Sequence, residues 1–179
     1  MGIDIPAGRY ALDPVHSSVQ FATRFVGARV RGTLRGLSGT LEVAEDLAKS
    51  SVQAQIEVTS LSTGVGPRDE HLRSADYFDA ATHPSATFAS SRLVEDGDRF
   101  LLAGDLTVRG TTRPVELEVR FTGDGEDHTG AFRVGFTASG RVSRSAFGVS
   151  GNVAKAGGPL LIGDATDLTF EVQATRESA

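Results

Sequence analysis

Four histidines, His16, His71, His83 and His128, are the side chains of this sequence best suited to proton transfer or metal ligation. They never take the HExxH spacing and form no histidine cluster, so no metal site is expected. His16 and His71 stay in view as candidate general bases for a small hydrolase or isomerase. Cysteine is absent, which excludes a thiol nucleophile, thiolate metal centres and disulfides. The nearest approach to a nucleophile elbow, Gly148-Val149-Ser150-Gly151, lacks the required glycine spacing. Gly64-Val65-Gly66 does not continue into GxGxxG, and no GKS or GKT phosphate loop occurs. With these motifs missing, the expectation is a protein that is no enzyme and needs no cofactor.

Charge offers a different chemistry. Arg24, Arg29, Arg31 and Arg35 fall within twelve residues, around an expected hairpin. Guanidinium groups suit pyrophosphate or carboxylate heads through paired, charge-assisted hydrogen bonds, and also suit an anionic membrane surface. Strand alternation turns these arginines away from the apolar face, so a solvated outer wall is the expected setting. The net charge of −5 and pI near 5.3 argue against a nucleic-acid partner. No apolar run approaches the roughly 20 residues that a spanning helix needs. The first twenty residues show no signal peptide, so with Met1 as the start a cytoplasmic location is expected.

The elements that must position any site are strands. Apolar residues recur with a period of two at Val19, Phe21, Thr23 and Phe25, at Leu41 and Val43, and at Ala54, Ile56 and Val58. The pattern returns at Phe100, Leu102, Leu106 and Val108, then at Val115, Leu117, Val119 and Phe121. Phe132, Val134, Phe136, Ala138 and Val142 continue it, and Leu168, Phe170 and Val172 close it. One buried and one wet face per strand implies antiparallel pairing. Residues 95–98 and 123–127 are polar and glycine-bearing, and read as hairpin turns. Residues 67–78 read as a short helix, with Pro67 and the acids Asp69 and Glu70 at its start. His71 or Leu72, with Ala75 and Phe78, would be its buried stripe. Residues 152–164, containing Gly157-Gly158-Pro159, read as a loop. The expectation is one all-β domain over residues 1–179, an antiparallel β-barrel of about eight strands with a short helix near residues 68–78. Closure removes exposed edges, and a barrel of that size is either filled by side chains or holds one ligand.

Several blocks carry a family likeness. Arg68-Asp69-Glu70-His71-Leu72-Arg73-Ser74-Ala75-Asp76-Tyr77-Phe78-Asp79 is flanked by Thr63-Gly64, by His83-Pro84 and by Thr87-Phe88. Upstream stand Asp13-Pro14-Val15-His16-Ser17-Ser18-Val19 and Val30-Arg31-Gly32. Downstream come Gly104-Asp105-Leu106-Thr107-Val108-Arg109-Gly110, Thr112-Arg113-Pro114-Val115, Gly135-Phe136 and Arg144-Ser145-Ala146-Phe147-Gly148. In this order they closely resemble the YceI-like family of lipocalin-like, polyisoprenoid-binding proteins. The chain departs from the family at Phe25, where many members have histidine, and at Arg9-Tyr10, where many have tryptophan.

The resemblance implies a barrel whose apolar interior holds an isoprenoid, a quinone or a fatty-acyl chain. It turns the inward aromatic residues from plain core into an expected ligand wall of Val19, Phe21, Phe25, Val119, Phe121, Phe132, Phe136 and Phe170. The partner expected is a polyisoprenoid or other long-chain lipid, with a transient membrane contact and a homodimer left open. Arg68, Asp69 and His71 belong to the family block, and a structural role for them is weighed equally with a role at the site. A protein-interaction module using the sheet face is the remaining alternative.

Overall fold

The computed structural model describes residues 4–153 and 158–178. Nine strands follow in sequence: β1 Gly8–Leu12, β2 Ser18–Phe25, β3 Ala28–Val43, β4 Ser51–Ser62, β5 Ser85–Asp96, β6 Arg99–Val108, β7 Thr111–Glu126, β8 Phe132–Ser143 and β9 Ile162–Arg176. A helix α1, Gly66–Arg73, lies between β4 and β5. Every pairing is antiparallel, and each strand from β2 to β9 bonds to its sequence neighbour, the β4–β5 ladder being confined to residues 53–57 and 85–89. The β2–β9 ladder closes the ring. Strand β1 also pairs with both β3 and β9, so it fills the stave that β2 continues. The result is an eight-stave closed barrel made from nine strands.

The break between β1 and β2 is bridged by side chains. The buried Ser17 hydroxyl donates to the Gln173 carbonyl at 3.2 Å and accepts from the Gln173 amide at 3.0 Å, standing in for a missing ladder pair. Asp13 accepts from the Val15 and His16 amides and from Arg133, whose guanidinium also grips Asp127 in the β7–β8 turn. Burial alone would raise the Asp13 pKa. The hydrogen bonds from Arg133, His16 and two amides outweigh it and hold the carboxyl far below the ordinary range.

Inward residues alternate as the sequence pattern requires. Leu117, Val134, Ala138 and Ala174 are buried on the barrel wall, and Tyr10, Leu12, Val43 and Leu37 pack into one core cluster. Several expectations change. The second turn is not at residues 123–127: β7 runs on to Glu126, with a bulge beside Gly123, and the Asp127 carboxylate builds the true turn by accepting from Thr129 and Ala131. The helix ends at Arg73, not Phe78, because the Ser74 hydroxyl takes the His71 carbonyl at 2.6 Å. Ala75 is consequently exposed, and the residue that α1 buries is Asp69. Part of the expected 152–164 loop is strand, since β9 begins at Ile162; residues 154–157 of that stretch lie outside the described residues.

Alternating hairpins give the barrel two unlike ends. One carries the β2–β3 turn, α1, the β6–β7 turn and the β8–β9 connection. The other carries the β3–β4, β5–β6 and β7–β8 connections.

Candidate functional site: an apolar tunnel with one polar end

The barrel interior is not filled. A cavity of about 320 Å³ occupies the helix end and a second, of about 170 Å³, occupies the other. The wider one falls within the size range of ligand pockets. Ile56, Ala86, Leu106 and Phe170 line both, so these four apolar side chains form a waist between the two cavities. The narrower cavity is walled by residues such as Leu41, Phe88, Phe100, Leu102 and Val119, with no charged side chain. The wider one carries all the ionisable lining groups: Arg24, Arg68, His71, Tyr77 and Arg144.

Two glycines explain how phenylalanine-rich walls leave a lumen. A Cβ on Gly32 would stand 2.2 Å from the Phe21 ring, and one on Gly104 would stand 2.5 Å from the Phe88 ring. Each ring therefore lies over a bare stretch of neighbouring strand, where it covers backbone without projecting across the barrel.

The helix end is held by polar bonds. Asp69 is 5% exposed and accepts from the Thr63 amide at 2.7 Å and from the hydroxyls of Thr63 and Ser62. Burial pushes its pKa up, but these donors and the nearby Arg73 charge prevail and hold it below the usual value. Asp69 thus fixes α1 to the end of β4, leaving Arg68, His71 and Leu72 on the helix face that borders the cavity. Arg144 donates to the carbonyls of Gly163, Val149, Gly151 and Ile162, and Arg109 donates to those of Tyr77 and Gly148. These two arginines sew the mouth together through backbone carbonyls.

The residues expected at the site are distributed unevenly. Val19, Phe21 and Phe25 line the wider cavity, Val119 and Phe136 the narrower, and Phe170 the waist. Phe25 is 41% exposed, so it sits at the rim, not in the interior. Phe121 and Phe132 border neither cavity: Phe121 packs edge-on against Phe136 at 5.8 Å, and Phe132 packs against the core cluster. Of the four clustered arginines, only Arg24 reaches the cavity, and Arg29 is paired with Asp167. Phe78, Phe88 and Phe147 line the cavities but escape a reading of strand alternation, because two lie in connections and one in the small-residue strand β5. The family blocks at residues 68–79, 87–88 and 144–148 do contain them, and were the available signal.

The candidate bases differ sharply. His16 is paired with Asp13 on the outer wall and lines neither cavity. His71 does border the wider cavity, with Nε2 at 2.9 Å from Asp76 and its ring edge-on to Tyr77. Among the described residues, no three acidic or histidine side chains gather as a metal site. No helix among them is long and apolar enough to cross a membrane.

A closed antiparallel barrel with two apolar cavities inside it defines a lipocalin-like architecture. The YceI-like domain matches residues 10–174, and the chain belongs to that family. It is 38% identical over 136 residues to Protein YceI of Escherichia coli O157:H7, covering 75% of this chain and 71% of that one. A UPF0312 protein of Photorhabdus laumondii is 32% identical over 177 residues, covering 98% and 85%. Among solved structures, BcnA of Burkholderia cenocepacia superposes with a TM-score of 0.79 at 25% identity, covering 92% and 99%. A polyisoprenoid binding domain from Saccharophagus degradans has the same fold, with a TM-score of 0.66 at 17% identity over 94% and 98%.

Proposed function

We propose that this chain binds and carries a polyisoprenoid or related long-chain amphiphile, lying along the barrel axis. The observation that carries this reading is the polarity of the tunnel, apolar beyond the waist and ionisable only at the helix end. The tail runs past Ile56, Ala86, Leu106 and Phe170 into the narrower cavity. The head, whether pyrophosphate, quinone or fatty-acyl, sits among Arg24, Arg68 and His71. Each methylene taken from water is worth about 0.8 kcal/mol, so the tail supplies most of the affinity and the head its direction. The polyisoprenoid-binding relative from Saccharophagus degradans supports the ligand class. No step of this role needs a cofactor.

The test is organic extraction and native mass spectrometry of protein purified from cells. A stoichiometric apolar ligand is expected from the native chain and none from Phe136→Asp, which puts an unpaired carboxylate on the tunnel wall. An empty native protein that also takes up no prenol would refute the carrier reading.

A further inference from the structure

Exposed apolar side chains are not spread evenly over this barrel. Of seven large ones among the described residues, five lie at the helix end: Phe25, Val26, Val65, Val153 and Leu160. Backbone bonds knit three of them into one lip, and Leu160 adjoins it next to Leu161. The Val26 amide donates to the Leu161 carbonyl at 3.0 Å, the Leu161 amide donates to Val153 at 2.9 Å, and Phe25 pairs with Ile162. Val26 is 66% exposed and Leu160 69%, so water meets them directly. Val26 also holds a φ of 49°, a left-handed conformation that a β-branched residue adopts at a cost and that asparagine or glycine would take more easily.

The lip borders the wider cavity, since Phe25 and Val153 line that cavity too. Arg24 and Arg68 stand beside it. Arg24 donates only to the Gly27 carbonyl and Arg68 only to Thr63, and neither has an ion-pair partner among the described residues. At the opposite end, the acids of the connections are mostly compensated: Asp46 pairs with Lys49, Asp98 with Arg120 and Asp127 with Arg133. The guanidinium groups beside the lip, without ion-pair partners among the described residues, give that end an attraction to a negative surface.

We propose that this lip docks on an anionic lipid bilayer, with Phe25, Val26, Val153 and Leu160 entering the headgroup layer and Arg24 and Arg68 meeting lipid phosphates. Apolar side chains ringed by cations are the composition that interfacial binding requires. The proposal rests on the carrier reading for its purpose: docking places the tunnel mouth against the phase in which a long-chain ligand dissolves. A tail could then pass from bilayer to barrel without crossing water.

Ligand-stripped protein is sedimented with vesicles of phosphatidylcholine, alone or mixed with phosphatidylglycerol. Binding to the mixed vesicles is expected, weakening severalfold with added salt because exposed charges are screened over about 8 Å at physiological ionic strength. Arg24→Ala with Arg68→Ala should weaken it severalfold, and Val26→Asp or Leu160→Asp at least tenfold. Val15→Asp, an exposed site on the barrel wall, should leave it unchanged. Uptake of a fluorescent prenol from solution by Val26→Asp, equal to that of the native chain, would show the barrel and tunnel intact. Equal binding to neutral and anionic vesicles, no binding to either, or undiminished binding by Val26→Asp overturns the proposal. So does a native dimer that Val26→Asp splits into monomers, since a second copy then covers the lip. Failure of prenol uptake by the native chain strikes the carrier reading and leaves the vesicle result standing on its own.

Discussion

Ala86→Phe is expected to turn a binder of long chains into a binder of short ones. Ala86 is buried at the waist and lines both cavities, so a benzyl group there fills the space between them. A long prenol would lose the part of its tail that occupies the narrower cavity. If that part is about five methylenes, the loss is about 4 kcal/mol, or roughly a thousandfold in affinity. A short prenol that fits the wider cavity alone should bind within a few-fold of its affinity for the native chain. Titration of both prenols into both proteins checks this, with a thermal melt to show that the enlarged side chain is accommodated. Its stability cost should stay within about 1–3 kcal/mol, since open volume lies on either side. Equal weakening of both prenols would mean that the tail does not pass the waist.

Asp69→Ala is expected to be the most damaging single truncation at the helix end. It removes the acceptor for the Thr63 amide and for two hydroxyls, and takes the Asp69 charge away from the Arg73 guanidinium, whose Nε is buried without a partner. Loss of charged hydrogen bonds in a buried site should cost about 3 kcal/mol. For a chain of this length that lowers Tm by roughly 6–12 °C, measurable by circular dichroism. Prenol binding should fall as well, because Arg68, His71 and Leu72 lose their placement. A melt within about 2 °C of the native chain, less than about 1 kcal/mol by the same scaling, would show that α1 is held by its apolar contacts alone.

Acid should act through the same carboxylates. Asp13, Asp69 and Asp127 all have pKa values lowered in the folded chain. Each therefore adds stability that is complete above its unfolded pKa, near 3.9, and is lost as pH falls toward its folded value. Urea midpoints should be flat around neutrality and decline from about pH 5 downward. Asp69→Asn should flatten part of that decline.

The strands were readable because a barrel wall enforces a strict period of two. Val115, Leu117, Val119 and Phe121 alternate with charged residues, and β7 takes that register. Strands β1 and β5 were not readable for opposite reasons. Gly8–Leu12 is too short to show a period, although its Tyr10 is wholly buried. Ser85–Asp96 consists largely of small and polar residues, and a bulge between Ser90 and Arg92 interrupts its alternation. The helix signal at Pro67 was sound, but its end was set by a hydroxyl–carbonyl bond at Ser74 that propensity does not foresee.

The sequence by itself determined the class of this protein: an antiparallel barrel with an aromatic inner face and a family-specific block at residues 68–79. Both are local patterns, written in alternation and in contiguous motifs. Whether the aromatic face is core or tunnel wall was decided only in three dimensions. Phe21 and Phe88 find bare backbone at Gly32 and Gly104 on neighbouring strands, a pairing of residues distant in sequence that no local period encodes. The polar end arose in the same way. Arg24 from β2, Arg68 from α1 and Arg144 from the β8–β9 connection meet because closure of the ladder brings their strand ends to one rim, while Arg29 is removed from the set by Asp167 across the barrel wall. Alternation told which way a side chain points; only the closed ring fixed what it points at.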